Sequence, residues 1–355
     1  MKTVIDELQL DAAVITDEYN MRHISGFRGG EGALYISDTQ KVLITDSRYT
    51  EQAEKESDFT VIEECQSHKR ETILKECMEK EGVTGDFRMG YEDKSMICAS
   101  FDKLKAALPV GEWVPMGGRV DALRQIKTAE EIEYLAKAEE IGDKAFEKIL
   151  KILKPGMTEL EVAAELEYQM KKEGAETTSF NSIIASGLNS SMPHAIPSEK
   201  KLEVGDFVTM DFGCKYKGYC SDMTRTVVLG KASEKQKEIY NIVLKAQLES
   251  LEAVKPGVSG KSVDKVARDI IGEAGYGECF GHGLGHGVGL FIHEDPRFSP
   301  MGETMMQPGM VMTVEPGIYV PGFGGVRIED MIVVTEDGYR NLAHSPKELI
   351  EVPVE

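Results

Sequence analysis

The pattern of apolar and polar positions divides the chain near residue 120, where short alternating elements give way to longer ones. In the first part, apolar and β-branched runs predict strands at 12–15, 33–36 and 42–44, and the segment 48–56 predicts a helix. Strands and helices that alternate in this way are typical of an α/β domain. We therefore expect residues 1–120 to form an α/β domain of their own.

The second part follows the glycine pair at 117–118, which is typical of a crossover between domains. Thr128 and Glu131 have the spacing of a capping box and predict an amphipathic helix that continues to Lys151. Longer helices and paired strands come after it. They predict a second domain over residues 121–355.

This second part contains an internal repeat, which is clearest at the start of two predicted helices. Residues 153–158 have the sequence LKPGMT, and residues 254–259 have the sequence VKPGVS. Each copy ends in Thr or Ser, the type of residue that caps a helix, and precedes an apolar run of helical period. Thr158 with Glu161 also has the spacing of a capping box.

The predicted strands repeat as well, and each copy carries two acidic residues. The spacing from Gly205 to Asp211 equals that from Gly309 to Glu315, and each span predicts a strand. A second acidic residue follows in a hairpin, ahead of another predicted strand: Asp222 before 226–229, and Glu329 before 332–334.

Two αβ halves related by a pseudo-twofold axis would bring these four carboxylates to a common centre. Any one of them alone is better explained as a solvated hairpin residue. Four in register imply metal, because crowded carboxylates repel one another and take up protons unless cations neutralise them. With one histidine added, the predicted ligands are Asp211, Asp222, His286, Glu315 and Glu329. Such oxygen and imidazole donors suit Mn²⁺, Co²⁺, Fe²⁺ or Zn²⁺.

Composition narrows the classes of function. The chain has 355 residues and a net charge of −20, and it lacks the clustered Lys and Arg of a nucleic-acid surface. Its six cysteines show no CxxC spacing, which favours reduced thiols. The N-terminal residues lack a signal-peptide pattern, and no apolar stretch has membrane-spanning length. We therefore expect a cytoplasmic protein that binds neither nucleic acid nor membrane.

The segment 281–290 has glycine at nearly every second position. Such a segment lets the backbone approach a buried object closely. A phosphate-binding loop is the alternative, but the Lys-Ser or Lys-Thr of a Walker motif is missing. A histidine on its own is more often structural than catalytic, and His23, His68 and His344 keep that interpretation.

The motifs of the second part, taken together, resemble those of the pita-bread metallopeptidases, specifically the branch with creatinase, aminopeptidase P and prolidase. The residues that carry the resemblance are Met210-Asp211-Phe212-Gly213, Ser221-Asp222-Met223-Thr224-Arg225-Thr226, His282-Gly283-Leu284-Gly285-His286, Thr313-Val314-Glu315-Pro316-Gly317 and Arg327-Ile328-Glu329-Asp330. The segments 20–27 and 45–49 resemble the creatinase-type N-terminal domain, which methionine aminopeptidases lack. The resemblance implies a creatinase-like domain over 1–120 and an α+β pita-bread catalytic domain with a pseudo-twofold repeat over 121–355.

For activity, the resemblance implies hydrolysis of the Xaa-Pro bond by a hydroxide that bridges two divalent ions, with Mn²⁺ the expected metal. It assigns Asp211 and Asp222 to one ion, Asp211 and Glu329 to both ions, and His286 with Glu315 to the second ion.

The same resemblance implies roles around these ligands. Glu315 would take a proton from the water and pass it to the leaving nitrogen. His194 and His293 match histidines that bind the substrate and stabilise the oxyanion. His282 would support the site from behind the ligands.

Substrate selection is implied by three further matches. Phe180 and Ile292 match apolar positions around the proline ring, and Arg297 matches an arginine suited to a substrate carboxylate. A carboxylate directly after proline favours a dipeptidase (prolidase), and an Xaa-Pro aminopeptidase that acts on longer peptides is the alternative. Because every ligand is retained, a non-catalytic binding module is disfavoured. The resemblance also implies a homodimer.

Overall fold

The computed structural model describes residues 1–82 and 85–354, which form two compact units, Met1–Arg124 and Gln125–Glu355. In these described residues, every helix is too short or too polar to cross a membrane. Each unit has its own core.

The first unit is built on one six-stranded sheet with the strand order β4-β3-β2-β1-β5-β6. Strand β2 is antiparallel to both neighbours, and the other pairs are parallel. The elements described in this unit are α1 (Lys2–Leu8), β1 (Ala12–Ile15), α2 (Glu18–Ser25), β2 (Ala33–Ser37), β3 (Lys41–Asp46), α3 (Thr50–Glu56), β4 (Thr60–Glu64), α4 (Arg70–Lys80), β5 (Arg88–Tyr91), α5 (Cys98–Ala107), β6 (Glu112–Pro115) and α6 (Arg119–Ala122). The three strands and the helix predicted here are confirmed, although the helix begins two residues later than predicted.

Both faces of this sheet are buried, because helices pack on each side. Ala13 and Ile15 of β1 contact the core that helices α1, α2 and α3 cover, whereas Ala12 and Val14 contact the core under α4 and α5. Successive side chains of a strand point to opposite faces, so a strand buried on both sides must be apolar throughout. This is why the predicted strands are continuous apolar runs.

The second unit contains two helix pairs and several small sheets. Its described elements are α7 (Ala129–Ile149), α8 (Glu159–Lys172), β7 (Thr177–Thr178), β8 (Ile183–Ser186), a 3₁₀ helix (Gly187–Ser191), β9 (Phe207–Phe212), β10 (Cys214–Tyr216), β11 (Tyr219–Cys220), β12 (Met223–Leu229), α9 (Glu234–Glu252), α10 (Gly260–Glu273), a second 3₁₀ helix (Gly277–Cys279), β13 (Gly285–Gly287), β14 (Glu294–Phe298), β15 (Val311–Val314), β16 (Gly317–Val320), β17 (Gly324–Arg327), β18 (Asp330–Val334), β19 (Tyr339–Asn341) and β20 (Glu351–Val352).

These elements form the two halves that the repeat predicted. In the first half, α7 and α8 pack on the sheet β20-β12-β9-β8. In the second half, α9 and α10 pack on the sheet β14-β13-β15-β18-β19. Each half therefore has one helix pair, one sheet and one core, which is the pita-bread arrangement.

The repeated helix openings have the same backbone geometry. Gly156 has a φ of +88° and donates its N–H to the Leu202 carbonyl at 2.9 Å. Gly257 has a φ of +79° and donates to the Met306 carbonyl, also at 2.9 Å. Positive φ values favour glycine, so the Pro-Gly pair of each repeat has a structural cause.

The predicted helix caps are confirmed. Thr128 and Thr158 each complete a capping box, and Ser259 accepts a hydrogen bond from the Ser262 N–H. The helix that begins after Thr128 ends at Ile149, two residues before the predicted end. Each cap satisfies backbone donors that a helix start leaves without partners.

Candidate metal centre

The acidic residues and one histidine meet where the sheets of the two halves face each other. Asp222, His286 and Glu329 each offer a donor atom, and these atoms lie within 4.8 Å of one another. The Nε2 atom of His286 is 3.5 Å from Asp222 Oδ2 and 3.4 Å from Glu315 Oε1. Four of the five predicted ligands are thus neighbours without further movement of the chain.

Strand pairing explains how residues distant in sequence reach this centre. Asp211 lies in β9, and Asp222 directly precedes β12, which pairs with β9 in antiparallel register. Glu315 directly follows β15, and Glu329 directly precedes β18, which pairs with β15. His286 lies in β13, on the other side of β15. In each half, the pairing of two strands sets two carboxylates side by side.

Asp211, the fifth predicted ligand, forms an ion pair with Arg327. Arg327 Nη2 donates to Asp211 Oδ2 at 2.5 Å, and both side chains are buried. The other oxygen, Oδ1, is buried as well, and within residues 1–82 and 85–354 no hydrogen-bond donor contacts it. A buried carboxylate oxygen without a partner is costly unless a ligand satisfies it.

Two threonines orient the glutamates. Thr224 donates to Glu329 Oε2 at 2.6 Å and accepts from Arg327 Nε at 3.0 Å. Thr313 donates to Glu315 Oε1 at 3.1 Å and accepts from the His286 N–H at 3.1 Å. These bonds fix the carboxylate orientations before any ligand binds.

Burial and mutual repulsion shift the pKa values of the centre. Burial raises the pKa of Glu315 to about 8, and Asp211 adds to the increase. Burial followed by neighbouring carboxylates raises the pKa of Asp222 and of Glu329 well above the ordinary range. Burial, followed by the nearby His293, lowers the pKa of His286 to about 3.

These shifts describe a centre with too much negative charge for the cations that the chain supplies. Arg327 is the cation in contact with it, against four carboxylates. Divalent ions would reverse the shifts of the carboxylates and satisfy the Oδ1 atom of Asp211. A neutral histidine, as the low pKa of His286 implies, is the form that binds metal. The residues present therefore fit a divalent-cation site.

The glycine-rich segment packs against protein backbone. An added Cβ at Gly285 would lie 2.1 Å from the Thr313 carbonyl oxygen, and one at Gly287 would lie 2.6 Å from the Asp295 carbonyl oxygen. Glycine is thus required for β13 to lie between its neighbouring strands. At Gly285 and Gly287 the space freed by the missing side chains is filled by protein backbone, which does not favour the phosphate-loop alternative.

The centre opens into a cavity of about 600 Å³, and the predicted substrate residues line it with one exception. His194 and His293 both lie at its wall, and the ring centroids of His286 and His293 are 4.6 Å apart. Arg297 also lines the cavity, and its Nη2 atom donates to the His293 carbonyl at 3.1 Å.

The exception is Ile292, which is not among the residues that line the cavity, so its contact with the proline ring stays a prediction. This side chain is 6% exposed and packs in an apolar cluster with Leu135 and Val288, outside the cavity lining. Phe180 packs on the same cluster and also lines the cavity. Ile183 and Ile196 line the cavity too, and they were not predicted from the sequence. The apolar part of the cavity wall therefore includes Phe180 and these two isoleucines, together with Pro193, Ala195 and Pro197.

His282, predicted to support the ligands, lines the same cavity and contacts residues that hold one of them. Its Nε2 atom is 2.9 Å from the Tyr319 hydroxyl, which accepts from Arg327 Nη1 at 2.8 Å. Burial lowers the pKa of His282 to about 4. This chain of contacts connects His282 to Asp211 through Tyr319 and Arg327.

The residues that orient these carboxylates were not predicted, although they carry a signal in the sequence. Thr313 stands two positions before Glu315, Arg327 two before Glu329, and Thr224 two after Asp222. Residues two apart on a strand share a face, so neighbours at this spacing are expected beside a ligand. This periodicity would have found them.

The fold and the site together define the class: a pita-bread metalloenzyme with a carboxylate-rich centre between two αβ halves. Comparisons with known proteins agree. Residues 133–336 match Metallopeptidase family M24, and residues 1–126 match the Creatinase/Prolidase N-terminal domain. The chain therefore belongs to metallopeptidase family M24 and is a peptidase.

Similar proteins with a named activity span the whole chain. An Xaa-Pro dipeptidase of Pyrococcus furiosus is 43% identical, with 98% of this chain and 97% of the relative covered. The solved structure of an Xaa-Pro dipeptidase from Bacillus anthracis has a TM-score of 0.94 at 44% identity and covers 100% of this chain and 98% of its own. An X-Pro aminopeptidase from Thermotoga maritima has a TM-score of 0.91 at 38% identity, with 99% and 100% covered.

Proposed function

We propose that the protein hydrolyses the Xaa-Pro bond of dipeptides with two divalent ions bound at the carboxylate centre. The observation that supports this most directly is the cavity, which is lined both by the metal-type donors and by His194, His293 and Arg297. The named activities of the P. furiosus and B. anthracis relatives support the same substrate class.

The cations would be held by Asp211, Asp222, His286, Glu315 and Glu329. Asp222, His286 and Glu329 each offer a donor atom at this centre, and the buried Oδ1 atom of Asp211 has no hydrogen-bond donor among the described residues. Which of the carboxylates are shared between the two cations is retained from the resemblance, which implies Asp211 and Glu329. When bound, the cations would lower the pKa of a water and polarise the scissile carbonyl.

Glu315 acts as the proton carrier in this proposal. Its carboxylate accepts a proton from the attacking water and delivers the proton to the leaving proline nitrogen. The Thr313 hydroxyl holds Oε1, which leaves Oε2 for the transfer. The nitrogen of an Xaa-Pro bond carries no N–H, and as the C–N bond breaks the proton taken from the water becomes the N–H of the released proline.

His194 and His293 act on the substrate carbonyl. Both side chains are exposed at the cavity, and both can donate a hydrogen bond to an oxygen on which negative charge develops. Burial lowers the pKa of His293, so a neutral donor is the expected form at neutral pH.

Phe180 and Arg297 select the substrate. Phe180 supplies an apolar wall for the pyrrolidine ring, and Arg297 offers a planar guanidinium to the carboxylate that directly follows proline in a dipeptide. This arginine is the reason that we place dipeptides before longer peptides.

The test compares an Xaa-Pro dipeptide with an Xaa-Pro-Yaa tripeptide, using Mn²⁺-loaded protein and mass detection of the products. We expect cleavage of the dipeptide, with a KM that rises about tenfold or more in Arg297→Gln while kcat changes little. The surface variant Arg340→Gln is the matched control. Absence of cleavage with Mn²⁺, Co²⁺, Fe²⁺ and Zn²⁺ alike would refute the proposal.

An Xaa-Pro aminopeptidase is the second candidate. A cavity of about 600 Å³ has room for more than a dipeptide, and the T. maritima neighbour carries that name. Efficient release of the first residue from the tripeptide would favour it. A non-catalytic role would instead leave cellular function intact in a Glu315→Gln variant.

We also propose a homodimer and Mn²⁺ as the native metal. Light scattering behind size-exclusion chromatography tests the first, and a monomer mass would reject it. Metal analysis of protein purified without chelator tests the second.

A further inference from the structure

Glu159 is a fully buried acidic residue that the mechanism above does not use. It is the first residue of α8, and 0% of it is exposed. Its carboxylate points towards the segment 187–197, which carries His194. This segment is flanked by Ser186, the last residue of β8, and by Ser198.

One carboxylate oxygen of Glu159 binds residues at the N-terminal end of this segment. Glu159 Oε1 accepts from the Ser186 N–H at 2.7 Å and from the Ser186 hydroxyl at 2.9 Å. It also accepts from Asn189 Nδ2 at 3.0 Å. These donors lie 27 and 30 residues further along the chain.

The other carboxylate oxygen binds Ser198, directly after the C-terminal end of the segment. Glu159 Oε2 accepts from the Ser198 N–H at 3.1 Å and from the Ser198 hydroxyl at 2.7 Å, and Asn189 Nδ2 reaches it at 3.2 Å. A carboxylate is an acceptor only, and all of its partners here are donors. One side chain therefore joins both ends of the His194 segment.

The segment itself buries few apolar side chains. Leu188 is 60% exposed, Met192 is 50% exposed and Ile196 is 84% exposed. Hydrogen bonds that reach its middle run from the Gly325 N–H to Ser190 Oγ at 2.9 Å and from Arg327 Nη1 to the Pro193 carbonyl at 3.3 Å. Because few of its apolar side chains are buried, the position of the segment depends strongly on such hydrogen bonds.

The second half of the repeat shows that the backbone arrangement at the start of these helices does not require a carboxylate. Gly260 is the first residue of α10, as Glu159 is of α8. Its N–H donates to the Thr304 carbonyl at 3.1 Å, as the Glu159 N–H donates to the Lys200 carbonyl at 3.1 Å. At Gly260, however, a Cβ would lie 2.1 Å from the Arg297 carbonyl oxygen. An acidic side chain at this place therefore belongs only to the half that carries the His194 segment.

We propose that Glu159 is a positioning residue that holds His194 against the substrate by joining the two ends of segment 187–197. The proposal deepens the proposed function and rests on it for the role of His194. Loss of the carboxylate lets the segment move while the metal ligands stay in place.

The first experiment measures kcat and KM of Glu159→Gln and Glu159→Ala on an Xaa-Pro dipeptide. We expect kcat/KM to fall about tenfold in Glu159→Gln, which keeps one acceptor oxygen, and about 100-fold in Glu159→Ala, with metal content unchanged. The control is Glu161→Ala, which weakens the cap of the same helix without touching the segment. An equal loss in the control would overturn the proposal.

A double-mutant cycle with His194→Ala separates positioning from general destabilisation. If Glu159 acts through His194, the effect of Glu159→Gln on kcat/KM shrinks from about tenfold to less than about twofold in the His194→Ala background. An undiminished tenfold effect would assign Glu159 a purely structural role and reject the proposal. This cycle uses the Gln variant, so it does not require that Glu159→Ala folds.

Hydrogen exchange of the full-length protein, followed by mass spectrometry, tests the contact without any assay of activity. Backbone amides in 187–198 are expected to exchange about tenfold faster in Glu159→Gln than in Glu161→Ala, while β9 is unchanged. Equal exchange in the two variants would reject the proposal that Glu159 holds segment 187–197 in place. If the exchange differs but the wild type cleaves no Xaa-Pro peptide, the proposed function fails. Glu159 would then hold the segment without a role in catalysis.

Discussion

In the first half of the second unit, α7 and α8 cover a sheet that supplies two aspartates, whereas in the second half α9 and α10 cover a sheet that supplies two glutamates and a histidine. The helix openings of the two halves match in φ and in hydrogen-bond partners. The halves thus share a frame and differ in the side chains placed on it.

The difference follows from where each carboxylate sits on its strand. Asp211 lies within β9, directly opposite Thr224 of β12. Glu315 and Glu329 lie just beyond the ends of β15 and β18, and threonines hold them in place. A repeated frame can therefore carry unequal chemistry, and variants at equivalent positions separate the contribution of the frame from that of the side chains.

The largest expected effect is on catalysis at Glu315, the position equivalent to Asp211. Glu315→Gln is expected to lower kcat about 10³-fold, because an amide cannot accept and return the proton. Asp211→Asn should act mainly on metal affinity, because the buried Oδ1 atom of Asp211 has no hydrogen-bond donor among the described residues and is available to a cation. The measurements are kcat on a dipeptide and bound metal by elemental analysis.

The matched control for this prediction is Glu303→Gln, an exposed residue of the same half that pairs with Lys261. It should keep full activity. A Glu315→Gln variant with near-wild-type kcat would show that another group carries the proton.

The next effect concerns stability after removal of metal by a chelator. The pKa of Glu315 is about 8 in the folded chain, so between its ordinary value and pH 8 the folded state holds a proton that the unfolded state has lost. The free energy of unfolding should therefore fall as pH rises from 6.5 to 8, by about 1.4 kcal/mol per pH unit for each such group. Below pH 6.5 His286, with a pKa of about 3, opposes this trend, because the unfolded histidine binds a proton.

Urea denaturation of chelated and Mn²⁺-loaded protein across this pH range is the measurement. The loaded protein should show the opposite slope, because deprotonated ligands bind metal more tightly. Parallel slopes in the two samples would mean that the carboxylates are not the metal ligands.

A smaller effect tests the unequal first positions of α8 and α10. Gly260→Ala should destabilise the fold by about 1–3 kcal/mol, because the new Cβ meets the backbone of Arg297. Gly272→Ala, in the same helix with no described atom within 4 Å of the new Cβ, should stabilise by about 0.5–1 kcal/mol. The midpoints of urea denaturation of the two variants measure this difference. An unchanged stability of Gly260→Ala would show that the two halves do not differ at this position.

The smallest effect tests what the halves share. Thr158→Ala and Ser259→Ala each remove the cap of a repeated helix and should each cost about 1 kcal/mol. Thr158 also takes part in a capping box, so its loss should cost slightly more.

Thermal denaturation measures the stability of both variants. Ser262→Ala is the control, because it leaves the bond from the Ser262 N–H to the cap in place. A large difference between the two caps would argue that the frames are not equivalent.

The sequence by itself determined the frame and the four carboxylates and one histidine that meet at the centre. Pro-Gly pairs, helix caps and equal glycine-to-acid spacings are local features. Their conformation depends on residues close in sequence and not on the distant parts of the chain. Apolar runs buried on both faces also identified the strands of the first unit.

Only the tertiary structure decided which side chains contact one another across long separations. The pairing of Asp211 with Arg327 spans 116 residues, and the bonds from Glu159 to Ser198 span 39. The same holds for Ile292, whose apolar character fits a cavity wall and a core equally well, and which packs in the core. Composition and spacing state what a side chain can do, whereas burial and the neighbours that folding brings determine what it contacts.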